Sequence, residues 1–240
     1  MKRWKYYLFC VGVMALTLLC AYWGSMAVTV ISEELPFVRK HCIVIDPGHG
    51  GEDGGATSCT GRMESEYNLA ISKKLDDLLH LLGYQTRMTR TSDVSIYTTG
   101  DTIARKKISD LKERVRIVNE TPGAVFISIH QNQFSDSRYS GAQVFYAKTD
   151  GSKELGQKLQ SELVTALNPG SNRKSKPING VYLMENIQCT GVLIECGFHL
   201  IFAFLFISLI TLSFFSSSSS LAFLYLYKNN LLLKLSVDSL

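Results

Sequence analysis

The apolar positions in the middle of this chain alternate between short continuous runs and helical stripes. Residues 42–46 form an apolar run closed by Pro47-Gly48, which reads as a buried strand delivering a loop. Ile71, Leu75, Leu78, Leu79 and Leu82 recur at helical spacing, Lys73, Lys74, Asp76 and Asp77 take the other faces, and Gly83 stops the helix. Residues 84–90 alternate as a strand. Ile108, Leu111, Val115 and Val118 mark a second helix that stops before Pro122-Gly123. Residues 124–130 are a near-continuous apolar strand ending in a histidine, and residues 142–147 are another strand. Leu155, Leu159, Leu163 and Leu167 mark a third helix, ended by Asn168-Pro169-Gly170. Residues 181–183 and 192–195 are expected as short final strands. Strands alternating with helices predict an α/β layer structure, in which chemistry collects at the C-terminal ends of strands.

Both ends of the chain depart from this pattern. Lys2, Arg3 and Lys5 precede an uncharged, mostly apolar stretch over residues 6–32. It is longer than the ~20 apolar residues a bilayer span needs, and its positive flank predicts a cytoplasmic start with the rest exported. Residues 1–32 are therefore expected to be a retained anchor, with a signal peptide cleaved after Ser25-Met26-Ala27 as the alternative. Residues 199–227 carry no formal charge and include five consecutive serines, Ser216 to Ser220, without amphipathic pattern or turn punctuation. They do not read as the continuation of a soluble domain.

Composition narrows the picture. The net charge of +4 includes the three N-terminal cations, so the remainder is nearly neutral and lacks the dense basic face of a nucleic-acid binder. The six cysteines form no Cys-x-x-Cys pair, which argues against a zinc ribbon or thioredoxin-type site. Cys42, Cys59, Cys189 and Cys196 are expected to be small buried thiols.

The candidate chemistry lies at element ends. His49 follows Asp46-Pro47-Gly48 and precedes Gly50-Gly51, a turn able to lift an imidazole off a strand end. Asp46 is expected to orient a ligand or a backbone amide. Glu64 stands just before the first long helix, where a carboxylate also suits the helix dipole; Glu66 is its competitor for that capping role. His130 ends an apolar strand and is followed by Gln131-Asn132. Glu195 ends another, where a carboxylate needs a partner because burying an unpaired charge is costly. Two imidazoles and a carboxylate can hold zinc with one position left for water, and a second carboxylate can move the proton. His41, His80 and His199 are read as non-ligands. Lys106, Lys107 and Lys112 are read as a solvated face, and Arg173 and Lys174 as candidates for substrate contact.

Residues 43–198 resemble the zinc-dependent N-acetylmuramoyl-L-alanine amidases of bacterial cell walls. The resemblance is carried by Ile45-Asp46-Pro47-Gly48-His49-Gly50-Gly51, by Glu64-Ser65-Glu66-Tyr67-Asn68, by Met88-Thr89-Arg90, by Ser128-Ile129-His130-Gln131-Asn132 and by Leu193-Ile194-Glu195-Cys196-Gly197-Phe198. It implies a mixed, mostly parallel sheet flanked by helices, a Zn2+ ion on His49, Glu64 and His130, and a catalytic role for Glu195. Asn132 is expected to meet substrate. Arg105-Lys106-Lys107, Asp110-Leu111, Arg114-Val115, Ser140-Gly141-Ala142-Gln143 and Gly180-Val181-Tyr182-Leu183 further resemble the spore germination-specific members. That implies an exported or membrane-anchored enzyme acting on spore-cortex peptidoglycan, in the cell envelope or forespore intermembrane space.

The resemblance places the catalytic domain over residues 41–198 and stops there. The family continues from its Gly-Phe pair into a closing helix, whereas His199-Leu200 begins an unrelated text. A shift of reading frame near codon 199 would produce this switch; a second hydrophobic anchor is the alternative. Losing a helix that covers a sheet face is serious. Each buried large side chain is worth about 1.5–3 kcal/mol, against a total stability of about 5–15 kcal/mol. Two other functions stay open: a zinc carboxypeptidase acting on stem peptides, and an inactive, truncated wall-binding product.

Overall fold

The computed structural model describes residues 12–19, 21–22, 41–58, 60–131, 141–167 and 170–196. The chain divides into two units, Met1–Arg39 and Lys40–Leu240. In the first, residues 12–19 and 21–22 are helical and expose Met14, Leu16, Leu18 and Tyr22. Among the described residues, no helix is long and apolar enough to cross a membrane. The expected anchor over residues 1–32 lies mostly outside the described residues, and the apolar tail lies wholly outside them.

The second unit is built on a six-stranded sheet of order β2-β1-β3-β6-β4-β5. The strands are β1 (Cys42–Pro47), β2 (Gln85–Met88), β3 (Ala124–His130), β4 (Gln143–Tyr146), β5 (Lys176–Pro177) and β6 (Thr190–Glu195). Every pairing is parallel except β4 with β6. The mixed, mostly parallel sheet expected from the sequence is therefore present. Four helices flank it: α1 (Glu64–Leu81), α2 (Ile103–Asn119), α3 (Ser152–Leu167) and α4 (Tyr182–Asn186).

Burial on both faces explains why the central strands read as continuous apolar runs rather than alternating ones. Helix α1 packs on β1, β2 and β3, and α3 on β4 and β6. A core of Val44, Phe126 and Leu193 from the strands, Ile117 and Val118 from α2, and Leu183, Met184 and Ile187 around α4 fills another layer. Register sets which polar side chains share that layer's face. Asp46 lies beside Ser128, Ser128 beside Leu193, and His130 beside Glu195.

Helix ends follow local chemistry. Glu66 accepts from the Met63 N–H at the start of α1, so it takes the capping role and leaves Glu64 free. Thr102 caps α2 by accepting from the Arg105 N–H. Gly83, at φ 86°, ends α1 as expected. The edge beyond β4 is solved differently, because β5 is only two residues long. There the Gln160 amide donates to the Ala142 carbonyl and accepts from the Val144 N–H, standing in for a missing strand.

Two expectations are corrected. Residues 181–183 are not a strand: Val181 caps the five-residue α4, which turns Leu183 and Met184 into the core. A three-residue apolar run does not carry enough periodicity to separate the two. Cys42, Cys189 and Cys196 are free and partly exposed rather than fully buried; Cys59 lies outside the described residues.

One ion pair ties α2 to β1. Arg114 donates to Asp46 at 2.7 Å with both side chains almost fully buried, and its Nε donates to Asp110 at 2.6 Å. Thr89 and Ser128 donate their hydroxyls to the same Asp46 carboxylate. Burial pushes the Asp46 carboxyl up, but Arg114 and the Thr89 hydroxyl outweigh it and hold it below the usual range. Its stabilising contribution is thus complete above the unfolded carboxylate pKa of about 3.9 and is lost as pH falls towards the lower folded value. Asp46→Asn should cost about 3 kcal/mol at pH 7, the low end for breaking a buried pair, because Asp110 still faces Arg114. Denaturant unfolding should show the gap to wild type narrowing as pH falls below about 4.

Candidate metal centre and catalytic carboxylate

The site gathers at the C-terminal ends of β1, β3 and β6, joined there by the first turn of α1. His49 stands in the loop after β1 in the left-handed conformation, at φ 61°. A non-glycine residue there is strained by roughly 1–2 kcal/mol, so its surroundings must hold it. They do so through the backbone. Arg114 donates to the carbonyls of Pro47 at 2.9 Å and His49 at 2.8 Å. Arg90 donates to the carbonyls of Pro47 and Gly48, each at 3.0 Å, and to Ser65 at 2.9 Å. Three consecutive carbonyls are thereby fixed by two buried guanidinium groups. Burial and the neighbouring Arg114 push the Arg90 pKa down to about 10, which leaves it charged at neutral pH.

Two glycines make room for the functional side chains. A Cβ on Gly48 would lie 2.3 Å from His130 Cε1, so the imidazole rests against bare backbone. A Cβ on Gly55 would meet Glu64 Oε2 at 2.7 Å and His49 Cδ2 at 2.8 Å.

Glu64, His49 and His130 converge. Glu64 Oε1 lies 3.4 Å from His49 Nε2 and 3.2 Å from His130 Nδ1. The three ligand atoms all fall within 4.8 Å of one another. Zinc ligands bonded at about 2.0–2.1 Å in a tetrahedron stand roughly 3.3 Å apart, so the two short edges have the length a zinc centre requires. Glu64 is held in turn: Oε2 accepts from the Ala56 N–H, and Oε1 from the Gln131 N–H and the Asn68 amide. Burial pushes its pKa up, but bonds to His130 and His49 outweigh burial and keep it ionised far below the usual range. His49 shows the converse: burial pulls its pKa down, while Glu64 and Asp53 outweigh that and raise it.

Glu195 lies beside His130 in register. Its Oε2 is buried and accepts no hydrogen bond from any described residue. Burial raises its pKa, His130 and His49 pull it back, and Glu64 adds to the rise. It lines a cavity of about 420 Å³ together with His49, His130 and Asp53, whose lining also includes the apolar side chains of Leu111, Phe145 and Leu193. An unpaired carboxylate beside a metal-ligand triangle is suited to taking a proton from water there.

The structure thus brings His49, Glu64, His130 and Glu195 together. It leaves Arg173 and Lys174 out of the cavity lining; Arg173 donates to the Gly141 carbonyl and Lys174 is exposed. Asn132 lies outside the described residues. Asp46 orients no ligand directly, because its carboxylate serves Arg114. Lys106 and Lys107 are more than a solvated face: they pair with Glu52 at 2.8 Å and Asp53 at 3.1 Å, tying α2 to the His49 loop. Sequence reasoning missed Asn68, Arg90 and Arg114 as supports. Asn68 was legible as the residue one helical turn after Glu64; the arginines stood inside stretches that carry the resemblance, Met88-Thr89-Arg90 and Arg114-Val115, but nothing local showed which backbone they would meet.

Comparison with known proteins places this geometry. The sequence model of the N-acetylmuramoyl-L-alanine amidase family matches residues 43–199, ending where the text of the chain changes. The chain is 36% identical over 200 residues to the germination-specific N-acetylmuramoyl-L-alanine amidase of Bacillus subtilis (strain 168), covering 82% of this chain and 83% of that protein. Among solved structures it is similar to the CwlD amidase from Clostridioides difficile in complex with the GerS lipoprotein. There the TM-score is 0.61 and the identity 39%, over 66% of this chain and 82% of that one. An N-acetylmuramoyl-L-alanine amidase from Clostridium difficile 630 matches with TM-score 0.61 and 29% identity, over 73% of this chain and 95% of that one. The chain belongs to the N-acetylmuramoyl-L-alanine amidase family, whose members are generally zinc-dependent and act on peptidoglycan.

Gly48→Ala should drive the His130 ring from its place while leaving the sheet intact. Metal affinity should fall about 10–100-fold, the range for disturbing a ligand's support, and circular dichroism should be unchanged. Chelator competition on the purified chain checks this.

Proposed function

We propose that His49, Glu64 and His130 hold a Zn2+ ion and that Glu195 is the catalytic proton carrier for cutting the bond between the N-acetylmuramoyl lactyl group and L-alanine. The observation that carries the reading is the triangle of ligand atoms with its 3.2 Å and 3.4 Å edges, set beside Glu195, whose buried Oε2 accepts no hydrogen bond from the described residues. A zinc ion there supplies Lewis-acid polarisation of the scissile carbonyl and makes a water acidic enough to lose its proton near neutral pH.

The chain's own residues do the rest. Glu195 accepts the proton of the attacking water and passes it to the departing nitrogen of L-alanine. One water is consumed; a lactyl carboxylate and a free amino terminus on the stem peptide result. Arg90 and Arg114 hold the His49 backbone still while this happens. The apolar wall of Leu111, Phe145 and Leu193 lowers the local polarity and keeps the raised proton affinity of Glu195.

The substrate we assign is spore-cortex peptidoglycan, supported by the germination-specific name of the Bacillus subtilis relative, which this chain matches along most of both lengths. We further assign action outside the cytoplasm with residues 1–32 as the anchor, supported by the order of Lys2, Arg3, Lys5 and the uncharged stretch that follows. A lipoprotein partner belongs to the same assignment, supported by the complex in which the Clostridioides difficile structure was solved.

Glu195→Gln in the full chain should lower turnover about 10²–10⁴-fold, the usual contribution of a general acid–base group, with zinc content unchanged. His49→Ala should lose the metal as well. Muropeptide analysis should find new free amino termini on L-alanine. Release of a C-terminal amino acid instead would replace the amidase reading with a carboxypeptidase.

A further inference from the structure

The hydrolysis as derived leaves Asp53 without a task, yet its carboxylate faces the first metal ligand. Asp53 Oδ2 lies 3.1 Å from His49 Nδ1. The other ring nitrogen, Nε2, faces Glu64 at 3.4 Å. The two nitrogens of one imidazole are thus engaged in opposite directions, one towards the metal-ligand triangle and one towards a carboxylate outside it. The same Oδ2 is 3.1 Å from Lys107 Nζ on α2.

The loop is folded to make this contact. Gly50 N donates to the Asp53 carbonyl at 2.8 Å and Asp53 N donates back to Gly50 at 3.2 Å, closing a two-way bridge four residues wide. Gly50 and Gly51 sit at φ 140° and 58°, and a Cβ on Gly51 would stand 2.7 Å from Ser95 N. The turn therefore has no room for a side chain at Gly51, and it returns the side chain of Asp53 to the ring of His49.

We propose that Asp53 is a positioning residue for the metal centre: it accepts the His49 Nδ1–H, fixes the tautomer that presents Nε2 to the metal, and is itself steered by Lys107. Metal-bound histidines commonly donate their second ring N–H to a carboxylate, which sets both tautomer and ring orientation. The inference rests on the zinc reading above. A purely structural role, with Asp53 only closing the loop or pairing with Lys107, predicts a different set of results.

The test uses the full chain stripped of metal and titrated with Zn2+ against a chelator. Asp53→Ala should weaken zinc binding about 10–100-fold. Asp53→Asn, which keeps an acceptor oxygen but drops the charge, should fall between it and wild type. Nitrogen-15 NMR of the imidazoles should show the His49 Nδ1–H form in wild type and a mixture of tautomers in Asp53→Ala. Equal zinc affinity in wild type, Asp53→Ala and Asp53→Asn overturns the inference and leaves the metal centre standing. So does a lower melting temperature of the metal-free variants with unchanged affinity and tautomer. A wild-type chain without measurable zinc affinity overturns the metal reading itself, and the inference with it.

Discussion

The structure of this site depends on two guanidinium groups buried under a loop. Arg90 and Arg114 together take the carbonyls of Pro47, Gly48 and His49, and an unpaired buried carbonyl would cost roughly 1–3 kcal/mol; the Asn68 amide shares the one on Gly48. They hold His49 in a left-handed conformation that an L-residue avoids when free. Burying two cations side by side has its own cost. Asp46 and Asp110 offset it on Arg114, while Arg90 is held mainly by carbonyl oxygens and has its pKa pushed down to about 10. The polar interior of this face exists to keep one imidazole in place.

The strand register supplies the remaining geometry. Parallel pairing sets His130 beside Glu195, so an imidazole of the His/Glu cluster and a second carboxylate stand side by side on adjacent strands. Helix α1 starts at Glu64, pointing its first carboxylate into the same space, and Asn68 one turn later steadies both Glu64 and the Gly48 carbonyl. Helix α2 completes the frame: Arg114 grips the loop backbone, and Lys106 and Lys107 grip its acidic side chains. The triangle of His49, Glu64 and His130 is thus braced from three sides, the kind of outer support that fixes the orientation of ligands in metal sites.

Much of the fold was legible because its strands are buried on both faces and its helices on one. Residues 124–130 were expected as a strand and are β3; the stripes over Leu75 and Leu163 lie on α1 and α3. Where the run was short, the pattern failed. Residues 181–183 became the N-cap and start of α4, because packing against Ile117 and Phe126 decided what three residues could not. The two-residue β5 left no pattern at all, and its missing edge is filled by the Gln160 side chain from a helix. Cys42, Cys189 and Cys196, expected inside, sit at or next to the ends of strands where burial is partial.

What the sequence determined by itself was the family: two histidines and two glutamates, each at an element end, lie in motifs specific enough to show it. Residue type and local spacing carry that information because a ligand must be a particular atom on a short, turn-bounded support. Only the tertiary structure decided the supports. Asp53 reaches His49 because a glycine turn folds back on itself, while Arg90 reaches the Gly48 carbonyl and Arg114 the His49 carbonyl from 42 and 65 residues away along the chain. Long side chains that satisfy distant backbone leave no periodic mark in a sequence, since any position facing the loop would serve equally well.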